Sequence, residues 1–291
     1  MKTSLVIILG FLVGLVFPFA AAPNVYCNSS SAEKITPGVL IERHLGSIGG
    51  PEELKKRRSF MAVGTVKAVF NINGKAQNTG RVVMASQSEK NMIGMKFENI
   101  EYQLEILGYD GENFSVGYAR PGIRTPFGQF LLSNSKTFKS GIIGGSLSTS
   151  WELLNYDEKR GKLKFDGMKK FDGADHYRFS FNPAKGSDLV IKMFFDALSY
   201  RHVRTEYERV VSPGTGRTID DSARLSETRY KMVETFSDFR PEEGLTIPHG
   251  YRISLEMSNG SGAGRYEWQM SFDEFSFGQT FDISQFRVES F

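Results

Sequence analysis

A single cysteine, Cys27, is present in the chain of 291 residues. One thiol excludes an intramolecular disulfide, a zinc cluster built on cysteines and a relay between two thiols. The histidines are scattered and match neither HExxH nor another metal-ligand spacing; they are His44, His176, His202 and His249. We therefore expect them to be surface or hydrogen-bonded structural residues, and we expect no metal and no cofactor.

Familiar catalytic motifs are also missing from the sequence. It has no GxSxG nucleophile motif, and the glycine-rich stretch at residues 141–145 (GIIGG) lacks the GK[ST] ending of a phosphate-binding loop. Residues 133–136 match SxxK, but neither KTG nor SDN accompanies them. These absences favour a protein that is not an enzyme, and a hydrolase whose site assembles from distant residues stays open as an alternative.

The chain has almost no excess of charge of one sign. Lysine and arginine number 36 against 33 aspartate and glutamate, which gives a formal net charge of +3. This excess is too small to indicate nucleic-acid binding, and we expect no nucleic-acid partner. The one basic cluster, residues 55–58 (KKRR), is interpreted as the solvated end of a short helix, with a contact to anionic lipid head groups as the alternative.

Only one long hydrophobic run is present, and it lies at the amino terminus. Lys2 precedes an apolar stretch over residues 5–19, and three alanines follow at 20–22. This pattern predicts a signal peptide over residues 1–22, a flexible Asn- and Ser-rich leader over 23–35, and a soluble, exported domain over 36–291. An uncleaved membrane anchor and lipid attachment at Cys27 are the alternatives.

Beyond residue 35 the periodicity changes from helical to extended. Residues 37–45 and 51–57 favour short helices. The segment RYEWQMSF (265–272) then alternates large apolar with polar side chains, as in a strand with one apolar face. Similar alternation predicts strands at 60–70, 81–88, 91–98, 101–109, 113–119, 162–168, 176–181, 189–195, 200–211, 228–239, 251–257 and 264–275. The dipeptides at 73–74, 110–111 and 172–173 (NG, DG, DG) favour tight hairpin turns and thus an antiparallel sheet.

The alternation is interrupted once, between residues 124 and 154. Apolar residues there follow a helical spacing that is broken by Gly141 and by Gly144 and Gly145. We expect one or two apolar helices that cover one face of the sheet.

The stretch YDGENFSVGYARPGIRTPFGQFLL (109–132) resembles the centre of the LolA/LolB-like family of periplasmic lipoprotein carriers. The matching residues are Asp110, Gly111, Tyr118, Pro121, Thr125, Pro126 and Phe127. The opening helix followed by SFMAVGTVKAVF, the hairpin to GRVVMAS, and the later KFDGADHYRFSFNP follow the same order of elements. The resemblance covers residues 36–282, in layout more than in identity.

This resemblance implies an α+β fold: a strongly curved antiparallel half-barrel of about eleven or twelve strands with helices covering the concave face. It also implies a non-catalytic periplasmic carrier whose partners are lipid or lipoprotein acyl chains. One departure is clear, because residues 88–91 (SEKN) replace the Arg-Pro pair that helps to control lid opening in LolA-type carriers. We therefore do not transfer that role, nor the delivery of cargo from an inner-membrane exporter.

An acyl chain inside the half-barrel needs an apolar cavity. The residues predicted to line it are Met84, Met95, Phe97, Leu104, Ile106, Phe114, Val116, Phe127, Phe130, Leu131, Phe138, Ile142, Ile143, Ile191, Met193 and Trp268. Each of them can equally belong to an ordinary core, and one sequence does not fix which strand face is concave. The alternative is an envelope structural or interaction module without a cavity, which docks on membrane proteins or a membrane surface.

Overall fold

The computed structural model describes residues 35–72, 74–156, 161–183, 187–213, 226–260 and 262–288, all within one compact unit. The predicted signal peptide, most of the predicted leader and Cys27 lie outside the described residues, as does Asn73 of the first predicted turn. No helix in the described ranges is long and apolar enough to cross a membrane.

Two short helices open the described chain, close to where the sequence predicts them. Helix α1 (Pro37–Ile48) begins after Thr36, whose side-chain oxygen accepts a hydrogen bond from the Val39 amide. This N-cap satisfies a backbone amide that has no partner within the helix. Leu40 and Ile41 are buried against the sheet, and α2 (Pro51–Lys56) follows after two glycines.

Twelve strands follow, in agreement with the predicted eleven or twelve. They are β1 (Ser59–Asn71), β2 (Lys75–Gln87), β3 (Lys90–Asn99), β4 (Tyr102–Tyr109), β5 (Phe114–Val116), β6 (Lys162–Phe171), β7 (Ala174–Asn182), β8 (Val190–Asp196), β9 (His202–Val211), β10 (Thr228–Glu242), β11 (Leu245–Asn259) and β12 (Gly262–Phe277).

All twelve strands form one open antiparallel sheet. Its order is β5-β4-β3-β2-β1-β12-β11-β10-β9-β8-β7-β6, so that β5 and β6 are the two edges. The predicted turn between β6 and β7 is confirmed, because Asp172 and Gly173 both have positive φ and Phe171 pairs with Ala174. Strands β1 and β12 pair at the centre and join the two halves of the sheet.

Between β5 and β6 the chain leaves the sheet. Helices α3 (Pro126–Ser133) and α4 (Ser135–Phe138) are followed by 3-10 turns at Gly145–Leu147 and Glu152–Asn155. The predicted helical insert is confirmed, although its helices are shorter than the apolar pattern indicates. Gly141 adopts a positive φ, and a Cβ there would lie 1.9 Å from the Ser150 carbonyl oxygen. Only glycine permits both the turn and this close approach.

The Phe138 side chain reveals how strongly the sheet curves. Its ring centroid lies 6.1 Å from that of Phe114 on β5 and 5.6 Å from that of Tyr207 on β9. Strands β5 and β9 are eight positions apart in the sheet order, a separation of roughly 38 Å if the sheet were flat. Since one phenyl ring contacts both strands, the sheet bends around the insert, and the predicted half-barrel with helices on its concave face is confirmed.

The outer face of β4 is covered as well, and this corrects part of the predicted site. Leu104 and Ile106 line a surface groove together with Arg287 and Val288 of the carboxyl-terminal segment. The opposite residues of β4, Glu105 and Leu107, pair with Met95 and Ile93 of the buried face. Leu104 and Ile106 therefore face away from the concave side, although the sequence predicted them to line a cavity on that side.

The basic cluster at 55–58 is only partly solvated. The Lys56 ammonium is exposed and pairs with Glu53 at 2.7 Å. The Arg57 guanidinium instead lies 4.2 Å from the centre of the Phe277 ring and 2.9 Å from the Glu243 carboxylate. Arg57 therefore connects the end of α2 to the sheet instead of projecting into water as expected.

We predict that Phe138→Ala lowers the free energy of unfolding by about 3–5 kcal/mol, because it leaves a cavity between two distant strands of the sheet. Urea denaturation followed by tryptophan fluorescence measures this loss. Leu198→Ala is the control, since the Leu198 side chain is 92% exposed and its removal is expected to cost less than about 0.5 kcal/mol. A loss below about 1 kcal/mol for Phe138→Ala would contradict this role for its ring.

Candidate functional site

The interior of the half-barrel is filled by the chain itself. Fourteen of the sixteen predicted cavity residues, all except Leu104 and Ile106, belong to one continuous hydrophobic core and are at most 7% exposed. The Phe127 ring, for example, lies 4.6 Å from the Trp268 ring. The structure thus brings these fourteen residues together, and their contact with a ligand stays a prediction.

A buried carboxylate on β10 holds the insert to the sheet. Glu234 is fully buried and accepts hydrogen bonds from the Gly144 amide and from the hydroxyls of Tyr207 and Tyr251. Burial raises the pKa of Glu234, and the three donors oppose that rise. The Gly144 amide belongs to the insert, whereas both tyrosines belong to the sheet, so Glu234 joins the two.

A second buried carboxylate, on β4, holds the start of α3. Glu105 accepts hydrogen bonds of 3.0 Å from the hydroxyls of Tyr102 and Thr125. Thr125 is the N-cap of α3, and its side-chain oxygen also accepts a bond from the Gly128 amide. Burial raises the pKa of Glu105 to about 7. The start of the helix thus depends on a group that titrates near neutral pH.

A buried histidine anchors the other end of the insert. The Trp151 indole nitrogen donates to His44 Nε2 at 3.2 Å, and His44 Nδ1 lies 3.1 Å from the Tyr200 carbonyl oxygen. His44 is therefore neutral, with its proton on Nδ1, and burial lowers its pKa to about 4. All four histidines are buried, and no group of metal ligands forms among the described residues.

An open groove lies at the end of the half-barrel, between α3 and the ends of three strands. Its volume is about 520 Å³, within the range of ligand sites. We call it the mouth groove and define it by Arg124, Pro126, Gln129, Phe130, Ser133, Asn134, Arg209, Val211, Tyr230 and Met257. The Phe130 and Tyr230 rings stack at 5.6 Å within it. The groove thus offers aromatic and aliphatic surface together with two guanidinium groups.

Exposed aliphatic side chains surround this end of the sheet. The hairpin registers place the β1–β2 and β3–β4 turns, the start of β8 and the end of β9 at the same end as the mouth groove. Ile72 and Ile100 in the turns are 50% and 81% exposed, and Val190 at the start of β8 is 53% exposed. We call these three residues the aliphatic rim.

Of the residues in the mouth groove, only Phe130 was predicted from the sequence. Arg124, Arg209 and Tyr230 come from three separate segments, and no short motif connects them. The sequence did contain one signal for this groove: Val211 and Met257 are apolar residues at the ends of predicted strands. Strand ends in an open, curved sheet border the mouth of the half-barrel.

No protein-family model and no curated protein sequence matches this chain. Among solved structures, a LolA superfamily protein from Nitrosomonas europaea is similar, with 14% identity, 87% of this chain and 98% of that chain covered, and a TM-score of 0.48. A domain from Vibrio parahaemolyticus, described as an outer membrane lipoprotein-sorting protein domain, has 13% identity, coverage of 84% and 97%, and a TM-score of 0.41.

A DUF1329 family protein from Desulfovibrio piger is also similar, with 10% identity, coverage of 86% and 96%, and a TM-score of 0.38.

We predict that Glu105→Gln changes how stability depends on pH. The folded state keeps Glu105 protonated up to a pKa of about 7, whereas the pKa of a free glutamate side chain is 4.5. The stability from this group is full below pH 4.5 and is lost as the pH rises through about 7, because the unfolded chain releases the proton first. Glutamine never ionises and avoids this loss.

The free energy of unfolding of Glu105→Gln, relative to that of the wild type, should therefore rise by about 3 kcal/mol as the pH increases from 4.5 to neutral. Urea unfolding of both proteins at several pH values measures this difference. The comparison with the wild type is essential, because His44 makes stability depend on pH in the opposite direction. Its pKa is lowered in the folded state, so the stability that neutral His44 contributes is lost as the pH falls below 6.5. A difference that stays constant over this range would contradict the assignment.

Proposed function

We propose that this protein is a non-catalytic carrier, exported to the periplasm, that binds an acyl chain of a lipid or lipoprotein in the mouth groove. The observation that carries this proposal is an open groove of about 520 Å³ in which stacked aromatic rings and aliphatic side chains lie beside two arginines. Each CH₂ group that leaves water contributes about 0.8 kcal/mol, so an apolar surface of this kind favours binding of an acyl chain.

The aliphatic rim supports a contact between this end of the protein and a membrane surface. Ile100, at 81% exposure, is held in a turn between two strands and has little contact with the rest of the protein. Exposed aliphatic residues around a groove are typical of surfaces that meet another apolar phase. A carrier that takes its cargo from a bilayer requires such a surface next to its binding site.

The packed interior limits how deeply an acyl chain can enter the half-barrel. Phe130 forms the boundary, since it lines the mouth groove and also packs against Phe138 in the core, with ring centroids 6.2 Å apart. An acyl chain in the mouth groove therefore lies along α3, and its deeper entry requires α3 to move away from the sheet. The fourteen buried residues would contact cargo only in that opened form.

The second candidate is an envelope interaction module that carries no ligand. The packed core favours this alternative, because the fourteen described residues in it are at most 7% exposed and leave little surface for a guest. The two candidates differ in what the mouth groove does. A carrier binds an acyl chain there, whereas an interaction module leaves the groove solvated.

We predict that Val211→Asn weakens binding of a fluorescent fatty acid about tenfold, because it places an amide against the bound chain. Val210→Asn is the matched control. Val210 precedes Val211 on β9, so its side chain points to the opposite face of the strand and does not line the groove. Fluorescence titration of both variants measures the dissociation constants.

Unchanged binding for Val210→Asn, together with the loss for Val211→Asn, supports the groove as the acyl-chain site. Equal losses for both variants would place the bound chain elsewhere. Absence of saturable binding to the wild-type protein would reject the carrier function in favour of the interaction module.

A further inference from the structure

We propose that the mouth groove selects amphiphiles with an anionic head group, a carboxylate or a phosphate, and that Arg124 and Arg209 hold that group at the edge of the groove. This inference rests on the proposed function, because it assigns the head group of the ligand whose acyl chain occupies the same groove. It is carried by the positions and bonding of the two arginines.

The Arg124 guanidinium is fixed in position by a backbone carbonyl and an aromatic ring. Its Nε donates to the Val116 carbonyl oxygen at 3.0 Å, and its central carbon lies 4.0 Å from the centre of the Tyr118 ring. Among the described residues no carboxylate lies within ion-pair distance of Arg124. Within the described part of the chain only its Nε donates a hydrogen bond, so the two terminal nitrogens are available to an anion there, in the geometry that favours bidentate binding.

Arg209 is held on the other side of the groove. One terminal nitrogen donates to Asn134 Oδ1 at 2.9 Å, and Asn134 in turn donates to the Phe130 carbonyl oxygen at 2.6 Å. This arrangement fixes the guanidinium beside the end of α3. Arg209 also forms an ion pair with Asp188, at 3.5 Å, and the Asp188 side chain is 76% exposed. A pair of this kind contributes little and does not prevent an anion from binding.

The residues that line the mouth groove give it a positive charge. Two arginines line it, and none of its other residues is acidic. An anionic head group therefore finds opposite charge at the groove edge, while its acyl chain contacts Phe130, Tyr230 and Val211. A neutral amphiphile with the same chain makes only the apolar contacts. The difference in affinity between the two ligands thus measures the contribution of the arginines.

The experiment compares palmitate with cetyl alcohol, which has the same number of carbons and no charge, by isothermal titration below their aggregation concentrations. Wild-type protein should bind palmitate at least about tenfold more tightly. Arg124→Gln and Arg209→Gln should each weaken palmitate binding severalfold and leave cetyl alcohol binding unchanged. Thermal melts confirm that both variants fold, which matters for Arg209 because it also contacts Asn134.

Arg229→Gln is the matched control, because it removes the same charge from the residue beside Tyr230. Arg229 does not line the groove and pairs with Glu227. This control should leave palmitate affinity unchanged. Inorganic phosphate in large excess tests for a simple anion site, and we expect it to leave palmitate bound.

Each other outcome has a defined meaning. Equal affinities for palmitate and cetyl alcohol would overturn the head-group inference while leaving the acyl-chain carrier intact. The same loss for Arg229→Gln as for Arg124→Gln would also overturn it, since net charge would then explain the effect. Displacement of palmitate by inorganic phosphate would show a site for free anions. Failure of both palmitate and cetyl alcohol to bind would reject the proposed function itself.

Discussion

The contact of one phenyl ring with two distant strands determines the shape of this protein. Phe138 touches Phe114 and Tyr207, which belong to strands eight positions apart in the sheet. An open antiparallel sheet with one apolar face must bury that face. Here the insert between β5 and β6 supplies the covering surface, and the sheet curves until both of its halves reach it. The mouth groove exists because α3 does not cover the ends of β9, β10 and β11.

Polar groups in the core fix where the insert lies. Apolar packing alone is tolerant of small displacements, whereas a buried carboxylate requires its donors at defined positions. Glu105 fixes the start of α3 through Thr125, and Glu234 fixes the later turn through Gly144. These bonds offset the cost of burying the two carboxyl groups, and they keep Phe130 at the boundary between the core and the groove.

The strands were predictable because one face of each is apolar, and a period of two is visible in any stretch such as RYEWQMSF. β4 shows the limit of that signal. The carboxyl-terminal segment covers its outer face, so both of its faces carry apolar residues, and the alternation of Leu104 and Ile106 indicated the wrong side. The partners of Glu105 and Glu234, and the presence of Arg124 and Arg209 in one groove, depend on the curvature of the sheet, which no local pattern encodes.

The central functional claim is that an acyl chain lies along α3 in the mouth groove. Photo-crosslinking with a fatty acid that carries a diazirine at the end of its chain, followed by peptide mass spectrometry, tests it most directly. We expect the adducts on α3, on the ends of β9 and β11 and on the start of β10. Adducts concentrated on the outer groove of Ile106 and Val288, or spread evenly over the surface, would contradict the claim.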